Sequence, residues 1–204
     1  MMKKKLQYLL ISFVGFSLAS CSDAQKKENV SAEKAGYSLP APFRHHEKIE
    51  VGPELIFDVY SWGRGSDSTS SLLILRSDSI KNDFTVASTD NIDGRLVEVF
   101  NTDMDTDDNP EVLIYYTLND EINTADVICF EFTGKNVNRI RFPELSSKTK
   151  KQYRGLDKFY VKDAKLVREF NLFEEDDKEG KNASVKKKIE YFIKNNSFDL
   201  NELE

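Results

Sequence analysis

Histidine and cysteine, the residues from which many catalytic and transition-metal centres are built, are scarce in this sequence. Its 204 residues include two histidines and two cysteines. His45 and His46 are neighbours, and adjacent side chains on a strand point in opposite directions, so they predict a solvated pair rather than a transition-metal site. No Ser/His/Asp or Cys/His set can be assembled from this supply. Paired carboxylates are the one catalytic alternative, and the sequence favours a protein that is not an enzyme.

A short apolar run near the N-terminus follows three lysines. Residues 6–16 are mostly apolar but too few to span a bilayer, which is typical of an export signal. The run leads to Leu18-Ala-Ser-Cys21, which resembles the bacterial lipobox, in which the cysteine is acylated and becomes the mature N-terminus. We therefore expect a lipoprotein signal peptide over residues 1–20 and lipidation of Cys21. The alternative is an ordinary cleaved signal with a chance cysteine.

This prediction places the protein in the cell envelope of a bacterium, lipid-anchored at the outer membrane on its periplasmic or surface face. Removing residues 1–20 takes away three of the 29 basic residues and none of the 35 acidic ones, which leaves a net charge of −9. An acidic surface argues against nucleic acid and anionic lipid headgroups as partners. With Cys21 acylated, Cys129 has no partner for a disulfide, and its apolar neighbours predict a buried thiol.

Residues 21–42 predict a flexible tether, because they are polar, end in Pro40-Ala-Pro42 and show no sustained periodicity. Residues 43–200 then supply enough chain for one domain with a real core. Apolar residues alternate with polar ones in short segments, which are separated by predicted turns rich in Gly, Asn and Asp, such as residues 90–94. We predict an all-β fold, an antiparallel β-sandwich or barrel of about eight to nine short strands with a short helical turn after Pro143. The predicted strands are 55–60, 72–75, 84–87, 96–100, 111–117, 126–132, 137–142, 159–161, 166–173 and, less distinctly, 184–193.

An acidic stretch, Asn101-Thr-Asp-Met-Asp-Thr-Asp-Asp-Asn-Pro-Glu111, directly precedes one of these strands. Oxygen-bearing side chains alternate along it and can converge on Ca²⁺, which takes six to eight oxygen ligands. The stretch is not a complete EF-hand loop, because Asp108 replaces the usual glycine and no glutamate follows at the twelfth position. A polar turn without any metal is the alternative. The candidate metal ligands are Asp103, Asp105, Asp107, Asn109 and Glu111.

Four motifs follow one another along the predicted domain. They are Phe57-Asp-Val-Tyr-Ser61 leading into Leu72-Leu-Ile-Leu75; Ile92-Asp-Gly94 and Val97-Glu-Val99 before the acidic stretch; Pro143-Glu-Leu145 with Tyr153-Arg-Gly-Leu-Asp-Lys-Phe159 and Leu166-Val-Arg-Glu-Phe170; and Lys188-Ile-Glu-Tyr191. In this order the motifs resemble the periplasmic inhibitors of invertebrate-type lysozyme. The resemblance spans roughly residues 55–193 and implies an antiparallel β-sandwich that often forms a homodimer, with a lysozyme as protein partner.

The loop that corresponds to the family's inhibitory loop differs from the family pattern. In the family a Ser-Gly…Tyr loop enters the lysozyme cleft, whereas residues 118–124 here contain Asn119, Asp120 and Glu121 and no serine, glycine or tyrosine. The two acidic side chains would repel the catalytic carboxylates of a lysozyme. Trp62 and Arg64 belong to residue types that are frequent at protein interfaces. They are further candidates for partner contact, unless Trp62 packs back on the sheet.

Together these features predict an exported, lipid-anchored β-sandwich that binds or inhibits a protein partner without catalysis. The alternative is a structural or accessory lipoprotein whose acidic loop is stiffened by Ca²⁺ and which inhibits nothing.

Overall fold

Short antiparallel strands account for nearly all of the regular structure. The structure is a computed structural model that describes residues 38–64, 69–173 and 185–203. Within these ranges there are eleven strands and one short helix. They are β1 Phe43–Gly52, β2 Leu55–Trp62, β3 Thr69–Asp78, β4 Asp83–Thr102, β5 Glu111–Leu118, β6 Ala125–Thr133, β7 Asn136–Ile140, α1 Ser147–Gln152, β8 Lys158–Lys162, β9 Lys165–Leu172, β10 Val185–Lys194 and β11 Ser197–Leu203.

The strands form two antiparallel sheets in which chain neighbours are also sheet neighbours. Seven strands follow the order β1 to β7, and four follow the order β11-β10-β9-β8. Two-residue turns close the β8–β9 and β10–β11 hairpins at Asp163-Ala164 and Asn195-Asn196. All four of these residues have positive φ, as the hairpin turns of type I′ require. The predicted all-β antiparallel sandwich is confirmed, and the sheet is not a closed barrel.

The long strand β4 corrects the predicted turn at residues 90–94. The chain runs through this stretch as one strand, pairing first with β3 and then with β5. A side chain at Gly94 would collide with the carbonyl oxygen of Thr117 on β5, so this glycine permits a close approach of two strands rather than a reversal. The apolar residue Ile92 is buried there, which a solvent-exposed turn would not require.

Strands β5 and β6 are covered on both faces. Val112, Ile114, Ile128 and Phe130 pack against residues of β2, β3 and β4, with Phe57 and Ile74 among them. The intervening residues of β5 and β6 pack against the four-stranded sheet and include the buried Cys129, as predicted. Because both faces are buried, these strands are almost continuously apolar rather than alternating.

Two strands, β1 and β11, were not predicted, and β11 extends past residue 200 to Leu203. They pair at the edges of their sheets and are mostly exposed or half-buried, so their apolar alternation is weak. The helical turn after Pro143 is confirmed as α1, where Ser146 caps the helix by accepting a hydrogen bond from the Thr149 backbone at 3.2 Å. The less distinct predicted strand, residues 184–193, is the strand β10.

Candidate cation site

The acidic loop, residues 103–110, joins β4 to β5 and folds around its first aspartate. Asp103 accepts backbone hydrogen bonds from Asp107 at 3.1 Å and from Asp108 at 3.3 Å. Thr106 and Asp108 have positive φ, which lets the loop turn back within a few residues. The Pro110 carbonyl accepts a 3.1 Å hydrogen bond from the Phe132 backbone and so ties the end of the loop to β6. The local sequence therefore holds several carboxylates in one small volume.

Asn109, one of the predicted ligands, orients a neighbouring carboxylate. Its backbone nitrogen donates to Asp107 Oδ1 at 2.9 Å, and its side-chain Nδ2 donates to Asp107 Oδ2 at 2.7 Å. Each oxygen of the Asp107 carboxylate thus accepts one hydrogen bond from Asn109. Asn109 acts in this geometry by positioning Asp107.

Glu111, the first residue of β5, is completely buried at 0% exposure. Its Oε2 accepts hydrogen bonds from the Thr102 hydroxyl and the Met104 backbone, both at 2.9 Å. Its Oε1 is buried and has no hydrogen-bond partner among the described residues. Burial, together with the charges of Asp105 and Asp103, raises the pKa of Glu111 to about 7. The two hydrogen bonds to Oε2 thus compensate the ionised form only in part.

Glu131 joins the same site although sequence reasoning did not identify it. It lies on β6 directly opposite Glu111 on β5 and is only 4% exposed. Its Oε2 is buried and lacks a hydrogen-bond partner in the part of the chain that the structure describes. Burial raises the pKa of Glu131, and the charges of Asp107 and Asp105 raise it further. The available signal was an acidic residue between Phe130 and Phe132 in an otherwise apolar strand.

Asp105 lies between these two glutamates. Its Oδ1 is buried and without a partner in the described ranges, and burial followed by the charges of Asp107 and Asp103 raises its pKa. The five carboxylates form two triads, and within each triad the ligand oxygens lie within 4.8 Å of one another. The triads are Asp103, Asp105, Glu111 and Asp105, Asp107, Glu131.

Oxygens within 4.8 Å of one another are close enough to bind the same calcium ion. Ca²⁺ binds oxygens at about 2.3–2.6 Å, so two ligands on opposite sides of one ion are about 4.6–5.2 Å apart. The donors are carboxylate oxygens, which suit hard divalent cations better than the softer transition metals. The chemistry of the donor set therefore fits Ca²⁺, and the fit rests on buried oxygens that need a positive partner.

The predicted partner-binding residues lie elsewhere. Residues 119–124 follow β5, whereas the acidic loop precedes it, so about 25 Å of strand separates the two loops. Asn119 donates to Asp93 at 3.3 Å, Asp120 accepts from the Thr124 backbone at 2.8 Å and also binds the Thr124 hydroxyl, and Glu121 is exposed. Loop 119–124 is thus a hydrogen-bonded turn.

A buried ion pair supports this turn. Arg168 Nε lies 2.7 Å from Asp157 Oδ1, and Asp157 Oδ2 accepts from the Ala125 backbone at 3.1 Å and from the Tyr153 hydroxyl. The adjacent Leu156 backbone donates to the Ile122 carbonyl at 3.2 Å. The sequence offered one signal for this network, an arginine within the apolar run of β9.

The remaining predicted residues lie in three other parts of the chain. Trp62 is 37% exposed and Arg64 is exposed, next to residues that lie outside the described ranges.

The two histidines have different partners. The His46 ring stacks on Tyr60 and forms a 2.7 Å hydrogen bond with Asp58, while the His45 ring lies 3.5 Å from Glu47. The predicted lipidation site Cys21, the predicted signal peptide and most of the predicted tether lie outside the described residues.

The fold and the site together define an antiparallel β-sandwich with an acidic loop between its central strands. Comparison with protein-family models, with curated proteins and with solved structures finds no match. Over residues 38–64, 69–173 and 185–203, helices capable of crossing a membrane are absent.

Proposed function

We propose that this chain is a non-catalytic, calcium-binding β-sandwich module, exported and anchored through lipid at Cys21. The observation that carries the proposal is the set of three buried carboxylate oxygens without hydrogen-bond partners among the described residues, on Asp105, Glu111 and Glu131. Unpaired buried charge is strongly unfavourable, and a divalent cation removes the penalty. Calcium would fix the β4–β5 loop against β6 and stiffen the centre of the domain.

The choice of calcium follows from the donors and from the proposed location. Mg²⁺ demands a near-ideal octahedron and usually keeps several waters, whereas Ca²⁺ accepts irregular clusters of carboxylates. Calcium modules outside the cytoplasm commonly bind with dissociation constants of about 10⁻⁴–10⁻³ M. An envelope protein can therefore remain loaded without a high-affinity site.

Thermal unfolding with and without calcium tests this proposal. The chain from Ser22 to Glu204 is melted in calcium-free buffer and in calcium at about one hundred times its dissociation constant, where stabilisation of about 2.7 kcal/mol is expected. Asp105→Asn should abolish the calcium response. Asp108→Asn is the matched control, because Asp108 lies in the same loop, is exposed, and has a positive φ that asparagine tolerates. Identical wild-type melting curves in both buffers would reject the proposal.

A second candidate function is recognition of a protein partner through loop 119–124. Ile122 and Leu156 are 42% and 60% exposed, and a backbone hydrogen bond joins them above the buried Asp157–Arg168 pair. Hydrogen bonds that hold an apolar tip in one conformation reduce the conformational freedom lost on binding, which favours a protein contact. The resemblance to lysozyme inhibitors makes an invertebrate-type lysozyme the first partner to test.

The test is inhibition of such a lysozyme by the wild-type chain and by Ile122→Asp. Loss of inhibition in the variant supports this contact surface. Ile80→Asp is the control, since Ile80 is 78% exposed in the β3–β4 turn and lies outside the proposed contact. Absence of inhibition by the wild-type chain rejects lysozyme as the partner.

A further inference from the structure

The two carboxylate triads of the acidic loop point to a more specific arrangement, which rests on the proposed calcium binding. We infer that the loop holds two adjacent calcium ions, with Asp105 shared between them and Glu131 of β6 completing the second subsite. Asp103, Asp105 and Glu111 form the first subsite, and Asp105, Asp107 and Glu131 form the second. Glu131 thereby becomes a metal ligand supplied by a strand distant in sequence from the acidic loop.

The first argument is that each triad contains its own buried glutamate. Glu111 is 0% exposed and Glu131 is 4% exposed, and each has one oxygen without a hydrogen-bond partner in the described ranges. An ion placed in the first triad satisfies Glu111 and leaves the Glu131 oxygen unpaired. A second cation would compensate this oxygen in its ionised form, and no lysine, arginine or histidine of the described residues forms an ion pair of 4.0 Å or less with Glu131.

The second argument is geometric. The oxygens form two groups, each with internal separations no larger than 4.8 Å, rather than one group of five. Each group has the dimensions of a single calcium coordination sphere. A carboxylate has two oxygens and about four lone-pair sites, so Asp105 can supply both ions at once.

The third argument is charge. Five ionised carboxylates carry five negative charges, and one calcium ion leaves three of them uncompensated in a partly buried volume. Glu111 and Glu131 also face each other directly across β5 and β6, a position at which like charges are unfavourable. Two calcium ions nearly neutralise the set and place one positive group beside each glutamate of this pair.

The subsites differ in their access to water. Asp107 is exposed, whereas Asp103 and Asp105 are half-buried. The second subsite therefore opens to solvent at Asp107 and completes its six to eight oxygens with water. We expect it to bind calcium more weakly than the first subsite.

The experiment is a calcium titration of the Ser22–Glu204 chain by isothermal calorimetry, with equilibrium dialysis giving the number of ions bound. Wild-type protein should bind two calcium ions per chain. Glu131→Gln should bind one, with the tighter affinity retained, and Asp105→Asn should lose both. Asp107→Asn repeats the test of the second subsite at an exposed position, where the substitution leaves the core intact. Asp108→Asn should still bind two.

The outcomes separate the two proposals. One calcium ion per wild-type chain, whether or not it depends on Glu131, overturns the second subsite and leaves the calcium module standing. Two ions in both Glu131→Gln and Asp107→Asn also overturn it, because neither residue would then be a ligand. No calcium bound to the wild-type chain overturns the calcium module itself.

Discussion

Glu111 on β5 and Glu131 on β6 occupy directly opposed positions in the sheet, and both carboxylates are buried. Two like charges in this arrangement destabilise a sheet unless a cation lies near them. If calcium binds as proposed, the stability of the central strands depends on calcium, and a mutation in this pair has effects of opposite sign with and without calcium.

The first prediction is that the effect of Glu131→Gln on the free energy of unfolding changes sign when calcium is added. In calcium-free buffer at pH 8, Glu131→Gln should stabilise the protein by roughly 1–3 kcal/mol, because it removes one of two opposed buried charges. In excess calcium the same variant should be less stable than wild type, because it has lost a ligand. Urea unfolding under both conditions measures the two differences. The same sign under both conditions would contradict the account.

The second prediction concerns pH. The pKa of Glu111 is about 7 in the folded protein against 4.5 for an ordinary glutamate. The folded state therefore holds more protons than the unfolded state between these values, so stability without calcium should fall as pH rises from about 4.5 to 7. Urea unfolding at intervals across this window tests the trend, and Glu111→Gln should flatten it. The prediction would be refuted if stability in calcium-free buffer rose with pH across this window and if wild type and Glu111→Gln showed the same pH dependence.

The third prediction concerns the buried Asp157–Arg168 pair. Asp157→Asn leaves Arg168 without its charge partner and should cost about 3–5 kcal/mol of unfolding free energy. Because Asp157 also accepts the Ala125 backbone hydrogen bond, amide exchange should accelerate at Ala125 and at the neighbouring loop 119–124. The control is Asp163→Asn, at an exposed turn position with positive φ. Equal losses of stability in the two variants would show that the buried pair contributes nothing.

The fourth prediction uses Cys129 as a reporter. Its thiol is 0% exposed, and burial raises its pKa well above the ordinary range. In the Ser22–Glu204 chain, which contains no other cysteine, labelling by a thiol reagent should be slow until the protein unfolds. Calcium should slow it further in wild type and leave the rate unchanged in Asp105→Asn. Rapid labelling of the folded chain would contradict the buried position.

The alternation of apolar and polar residues predicts much of the fold. Where it predicts the wrong structure, the physical cause can be named. The polar stretch at residues 90–94 predicts a turn, but Gly94 serves the close approach of β4 to β5. Alternation alone does not predict that both faces of β5 and β6 are buried, because a single strand does not reveal that a second sheet covers its other face. The uninterrupted β4 and the two buried faces of β5 and β6 both depend on tertiary packing, which the local sequence does not show.

The sequence likewise predicts some residues of the candidate site and misses another. The loop carboxylates were predicted because their spacing is local, and Glu111 follows that spacing into β5. Glu131 was missed because its role depends on the register that places it opposite Glu111. Asn109 was also predicted as a ligand. Its amide nitrogen donates to Asp107, and cation binding by its amide oxygen stays a prediction.

The most direct measurement is an anomalous difference map from crystals grown with calcium, recorded at a long wavelength where calcium scatters anomalously. The account predicts peaks about 2.3–2.6 Å from carboxylate oxygens of Asp103, Asp105 and Glu111, with a second peak beside Glu131. A map without anomalous density between these carboxylates, in crystals that contain calcium well above millimolar concentration, would contradict the central claim that the acidic loop is a calcium site.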